Sequence, residues 1–311
     1  MTASSPGAVG AGVPAPTAGR PMWRETLVAW SFALPFLVLF LVFMAGPIAA
    51  ALVTSFTDLR VTDIRNPLAI ELVGIQNYLD VLGDERFQKA AANTAVFVLV
   101  GVPLTMALGL AAAVGLNQGV VRFRTYFRVG FYLPVVTSIV AIAVVWRLLL
   151  GTEVGLINGV LGIWGVDGPG WLSDERYALW SIIAMAAWRN LGFLMVIFLA
   201  GLQTISQDLY EAAEVDGAGR WQRFRNITLP LMRPTLLFGA VITGIGYVQF
   251  FEEVFVMTQG GPLNSTLSLA LYAYSQFSFG NYGYTAAIAF ILFIAIAMLT
   301  FVQFRVFRTQ T

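Results

Sequence analysis

An all-α integral membrane protein, with six transmembrane helices and a short cytoplasmic helix between helices four and five, is predicted by three observations. Of 311 residues, 58% are hydrophobic and only 11% charged, about half the charge of an ordinary soluble domain. Apolar runs long enough to cross a hydrocarbon core of roughly 30 Å recur along the chain. Arginines collect in every second connecting segment, as they do on the cytoplasmic flanks of membrane helices.

In chain order, residues 1–22 are mostly Ala, Gly, Pro, Ser and Thr, a composition that cannot bury enough surface to fold and predicts a disordered cytoplasmic tail. Residues 23–311 form the membrane domain. The first apolar run follows Arg20 and Arg24, exceeds the h-region of a signal peptide and meets no cleavage site, so it is read as a retained helix. The six runs are Leu27–Val53, Thr94–Leu116, Val129–Leu150, Ala178–Leu202, Thr235–Met257 and Tyr284–Phe304. Pro35, Pro47, Pro103 and Pro134 lie inside them and are read as kinks, because neighbouring helices and water can satisfy the freed carbonyls in a membrane.

Arg20 and Arg24 precede the first run, Arg122, Arg124 and Arg128 separate the second and third, Arg220, Arg223, Arg225 and Arg233 separate the fourth and fifth, and Arg305 and Arg308 follow the sixth. All fall on one side. The opposite loops carry more acids, among them Asp58, Asp80, Asp84, Glu153 and Asp174. Both termini of this multi-pass membrane protein are therefore expected in the cytoplasm. In the outer loop at 151–177, Trp164 and Trp171 suit either an interfacial belt or the docking of an external partner.

Composition also excludes chemistry. Cysteine and histidine are absent, which removes disulfides, thiolate and imidazole metal ligands and every His-dependent catalytic arrangement. Lys89 is the single lysine, and no Gly-rich loop ending in Gly-Lys-Ser/Thr occurs to cradle ATP phosphates. A net charge of +1 gives no footprint for nucleic acid.

The segment at about 203–234 is more than a connector. Ser206 can cap a short helix, Asp208 and Glu211 suit its positive end, and Gly217 can supply the left-handed residue that closes it. A second short helix starts near Gly219, with Trp221, Phe224 and Arg225 at three- and four-residue spacing, until Pro230 and Pro234 lead into the next run. Such an elbow suits the headgroup layer, with aromatics down and arginines snorkelling, or the groove of a partner protein.

The residues Glu211-Ala212-Ala213, Gly217, Ile227 and Leu229-Pro230 resemble the signature loop of permease subunits of bacterial ABC importers. Asp216-Gly217-Ala218, Phe224, Tyr132-Leu133-Pro134 and Gly260-Gly261-Pro262 bring it towards the carbohydrate-importer branch. The resemblance extends over nearly all of residues 25–308. It implies that Glu211 to Phe224, Trp221 included, form a coupling helix seated in a cleft of an ATPase subunit. It further implies two ABC ATPases that bind ATP and Mg2+ in place of this chain, a second permease in a heterodimer, an extracytoplasmic solute-binding protein and a sugar substrate.

Ionisable side chains at membrane depth are costly, so Arg189, Glu252 and Glu253 require protein or water around them. In the fifth run Thr243, Tyr247, Phe250 and Glu253 or Val254 recur at three- and four-residue steps, which places an aromatic and polar stripe on one helical face. In the fourth run Arg189 and Phe193 lie one turn apart, with Asn190 beside them. Aromatic planes next to amide and carboxylate groups suit a sugar. An Arg189–Glu253 ion pair that only joins two helices suits the same residues. A glycerol-3-phosphate or polyol importer of the same architecture, and an ion-coupled secondary transporter using Glu252 or Glu253, are the alternatives. The elbow argues against the latter.

Overall fold

The computed structural model describes residues 22–65, 70–117, 123–153 and 155–307; the expected tail at 1–22 lies almost wholly outside them. Among the described residues the chain is helical without strands, with isolated bridges at Thr57–Leu72 and Arg60–Asn281.

The chain divides into two units, residues 1–51 and 52–311. The first holds α1 (Met22–Phe40) and a π-helical turn (Leu41–Ala45) that leads into α2 (Gly46–Thr54). The turn has a local cause. Pro47 has no N–H for the carbonyl one turn back, and the ladder shifts register so that the Gly46 N–H reaches the Leu41 carbonyl. None of the described side chains of this unit is buried. A helix apolar all round and unburied within its own chain matches the membrane reading of the first run.

In the second unit, α3 (Gln76–Gly83) precedes the long α4 (Glu85–Asn117); α8 (Ala178–Gln203) packs along α4 as the centre of the bundle. Gly109 of α4 allows that approach, since a Cβ there would stand 2.7 Å from Leu194 Cβ. α15 (Tyr282–Phe307) packs on α12 (Arg233–Val248), which in turn packs on α4. Two apolar cores result: one around Phe97, Ile182, Met185 and Val254, the other around Leu194, Phe198 and Met232. Four helices are individually long and apolar enough to span a bilayer, and two further bent pairs bring the number to six when each pair is one span.

Two expectations are corrected. The third run is not one kinked helix: α5 (Arg124–Val136) and α6 (Ile139–Leu149) meet at 99°. Pro134 deprives the Gly130 carbonyl of a donor, the Thr137 hydroxyl takes the Leu133 carbonyl at 2.9 Å, and the backbone leaves extended through Thr137 and Ser138. The fifth run is likewise broken. α12 ends at Val248, α13 (Glu252–Met257) starts after three intervening residues, and α13 packs on α6. The break turns Phe250 onto Phe97, ring centroids 3.8 Å apart and 7° from parallel. Burying that ring compensates for the lost backbone bonds.

The outer connections are also helical, as sequence periodicity did not indicate: α3, α7 (Leu156–Ile163) and α14 (Leu269–Ser278) all lie at the end of the bundle where α4 and α15 begin.

Candidate functional site

Two regions concentrate the expected functional residues. The first is the elbow after α8. Here α9 (Gln207–Val215) starts with the Ser206 hydroxyl accepting the Asp208 N–H at 3.3 Å. It ends where Gly217 takes φ +80°. The Ala218 N–H then returns to the Ala213 carbonyl at 2.8 Å and the Gly217 N–H to Glu214 at 3.0 Å, closing the helix with the paired bonds of a left-handed cap. The chain restarts at Gly219, whose N–H is taken by the Gln222 side chain at 2.7 Å. The next pieces, α10 (Arg220–Arg223), a π-turn (Phe224–Thr228) and α11 (Leu229–Leu231), meet α12 at 67°, with Pro234 in the first turn of α12 where its missing N–H costs nothing.

Two side-chain ties stiffen the elbow. Arg223 pairs with Glu214 at 2.9 Å, and Tyr210 and Thr228 share a hydroxyl bond of 2.9 Å. Glu211, Ala212, Asp216 and Gly217 are exposed, Ala213 and Ala218 half-buried, and Trp221 stacks on half-buried Phe224 at 5.5 Å while remaining 70% exposed. The expected contact residues thus form one presented, internally fixed surface.

The second region lies in the bundle where α4, α8 and the α12–α13 break converge. The Tyr247 hydroxyl bonds Thr105 at 2.8 Å and receives the Asn190 amide at 3.4 Å. Asn190 also accepts from Arg189 Nη1 at 3.1 Å. The Tyr247 ring stands edge-on to Phe97 at 5.0 Å and over Gly101, where a Cβ would come within 2.8 Å of it. Phe250 completes the aromatic stack.

The continuous stripe on one helix face is not formed, because Phe250 lies in the break and Glu253 on α13. Folding still gathers Tyr247, Phe250, Asn190 and Arg189 around α4. Thr243 is buried one turn before Tyr247, whereas Phe193 is 37% exposed and joins no ring pair among the described residues. Glu252 is exposed. Glu253 is 6% exposed and its Oε2 has no hydrogen-bond partner; Arg189 Nε has none either, and the two groups do not close into an ion pair. Two buried side-chain atoms left without partners are unusual unless something else meets them.

Sequence reasoning missed the contribution of α4. Phe97, Gly101 and Thr105 recur every four residues, the signal that would have put them on one face. It also missed a polar cluster at the outer end. Asp84 accepts from both the Tyr272 and Tyr284 hydroxyls, and its other oxygen takes the Arg86 N–H at 2.7 Å. Burial alone would raise the Asp84 carboxyl, but these bonds outweigh it and hold the group below its ordinary range; burial and the Asp84 contact push the Tyr272 hydroxyl up. A cavity of about 410 Å³ opens beside the cluster, with Asp58, Arg60, Asn77 and Asp80 in its wall.

Residues 90–309 match the family described as binding-protein-dependent transport system inner membrane component. The lactose transport system permease protein of Rhizobium radiobacter is 35% identical to the chain over 287 residues, covering 90% of this chain and 94% of that one. The trehalose/maltose transport system permease protein of Thermococcus litoralis is 34% identical over 286 residues, covering 92% and 95%. Among solved structures, a bacterial ABC transporter involved in import of the acidic polysaccharide alginate superposes with a TM-score of 0.78 at 23% identity, over 93% of this chain and 99% of that chain. The alginate transporter has also been solved in complex with an alginate pentasaccharide-bound periplasmic protein. At that identity the likeness is one of fold.

Proposed function

The chain belongs to the binding-protein-dependent transport system inner membrane components, and from that premise we propose that it carries a sugar or oligosaccharide inward by alternating access. It is the membrane-spanning permease of an ABC importer, a transport subunit and not an enzyme. The substrate arrives on a solute-binding protein at the Asp84 end of the bundle. A second permease completes the pathway, and two ATPase subunits, which hold the ATP and Mg2+, seat the Glu211–Phe224 elbow. Both chain termini are cytoplasmic. The sugar names of the relatives support the substrate class; the arginine asymmetry supports the orientation.

The observation that carries this reading is the elbow itself. A capped, cross-tied helical turn with an exposed Trp221 cannot be a core of its own, and a rigid body of that kind transmits movement only when something grips it. Midway along α8, Arg189 and Asn190, together with Tyr247 and Glu253, offer donors and acceptors to sugar hydroxyls as the bundle rocks.

The test is uptake of labelled oligosaccharide into proteoliposomes holding this permease with its co-expressed partners, run with and without ATP. ATP-dependent uptake that is lost in Trp221→Asp, with the subunits still inserted, supports the reading. Uptake that persists without ATP and collapses with an ion gradient overturns it in favour of a secondary transporter built on Glu253.

A further inference from the structure

We propose that the cleft between α6 and α7 binds an anionic glycerophospholipid, with its phosphate on Arg147 and an acyl chain along the apolar wall. The cleft encloses about 440 Å³ and is lined by Val145, Leu148 and Leu156 around Arg147. Its floor is the contact of Gly155 with Gly151, where the backbone N–H of the one meets the carbonyl of the other at 3.1 Å. A Cβ at Gly155 would collide with that carbonyl. Two glycines thus bring the start of α7 onto the end of α6.

What covers the cleft follows from its surroundings. α6 is half of a bent membrane span, and Val140, Val144 and Leu148 form an exposed stripe along it at four-residue steps. That stripe runs on into α7, where Leu156, Val160, Ile163 and Trp164 share one face; Ile163 and Trp164 are both more than 80% exposed. The opposite face of α7 is tied down through Asn158, whose side chain bonds the Thr152 and Pro169 carbonyls and the Trp171 indole. Trp171 is therefore part of the loop scaffold, and Trp164 is the exposed anchor. A short helix with its polar face fixed inward and its apolar face continuing a membrane span lies in the interfacial layer.

Arg147 occupies the last turn of α6 within this apolar surface and donates one long bond, 3.3 Å, to the Val256 carbonyl. A guanidinium carries five donors in a planar fork that matches a phosphate bidentately. A zwitterionic headgroup brings its own cation alongside, which favours the anionic lipid at this site. The inference concerns the lipid-facing surface and is independent of what is transported.

The test is native mass spectrometry of the complete transporter, released from mixed phosphatidylcholine and phosphatidylglycerol membranes. Wild type, R147K and R147Q are compared for retained lipid. A phosphatidylglycerol adduct on wild type and R147K that is lost in R147Q, with subunit composition unchanged, is the expected result. The proposal is overturned if R147Q retains the adduct, if phosphatidylcholine is retained equally, or if no adduct is seen. It is also overturned if the isolated chain binds lipid and the second permease displaces it, which would make the cleft a subunit contact. Should R147Q fail to assemble, Leu156→Asp, which keeps Arg147 and spoils the acyl wall, must lose the adduct in its place.

Discussion

Glu253 separates the competing accounts of the bundle site. Its Oε2 is buried and unpartnered, and Arg189 Nε is equally incomplete. If Glu253 accepts a sugar hydroxyl, Glu253→Gln removes a charge-assisted bond worth about 1.5–3 kcal/mol, and the KM for uptake should rise about ten- to a hundredfold while basal ATP hydrolysis holds. If the residue only packs, the near-isosteric change leaves KM where it was and moves only the thermal stability. Parallel uptake and melting measurements on one variant therefore distinguish the two. Asp84 makes a different prediction. Its carboxyl is held low by Tyr272, Tyr284 and two backbone N–H groups. Such a group contributes stability that is present above its unfolded value, near ~4, and is lost as pH falls through the lower folded value. Asp84→Asn should flatten the acid limb of stability against pH in detergent and leave the neutral plateau lowered; an unchanged acid limb would place the acid sensitivity elsewhere.

Helices meet in this bundle through small residues, and Gly192 is the tightest case. A Cβ there would drive into the Phe131 carbonyl where α8 crosses α5. Gly192→Ala should cost about 1–3 kcal/mol through overpacking, read as a lower melting temperature of the assembled permease, whereas Gly130→Ala, with open space around it, should be tolerated. In the elbow, Gly217→Val forces a branched side chain into φ +80°, costing about 1–2 kcal/mol, and should loosen ATPase association without affecting insertion. The elements also mark how far sequence could reach. Six apolar runs and the Ser206–Gly217 elbow were legible because length, capping and glycine punctuation are local signals. The breaks at Thr137–Ser138 and Gln249–Phe251 were not, because an apolar run reads the same whether continuous or bent. What bends it is tertiary: the Phe250 ring finding Phe97, roughly a hundred and fifty residues away in sequence. The Asp84–Tyr272–Tyr284 cluster was hidden for the same reason.

At the scale of the molecule, the two regions that sequence singled out separately share one rod. α8 runs unbroken from Ala178 to Gln203, carries Arg189 and Asn190 midway, and leads through Thr204 and Ile205 into the capped elbow at Ser206. From Asn190 to Gln203 is about 20 Å at 1.5 Å per residue. Throughout that stretch Leu194, Phe198 and Leu202 are buried against α4 and α12, so the rod is clamped along its length. Interiors packed this way move as rigid pieces with few alternative arrangements. A displacement imposed on the elbow should therefore reach the polar cluster as a movement of the whole rod. Ala200→Pro tests this. Ala200 is exposed on α8, so the substitution disturbs no core contact, yet it removes the bond to the Val196 carbonyl and crowds that turn, at about 3 kcal/mol in a helix interior. The expected outcome is a complex that still assembles and hydrolyses ATP but transports much less substrate per ATP. Should the transport-to-hydrolysis ratio stay at the wild-type value, the movement would have to pass through α12 instead, which leaves the same elbow through the 67° bend at Met232 and carries Tyr247 in its last turn.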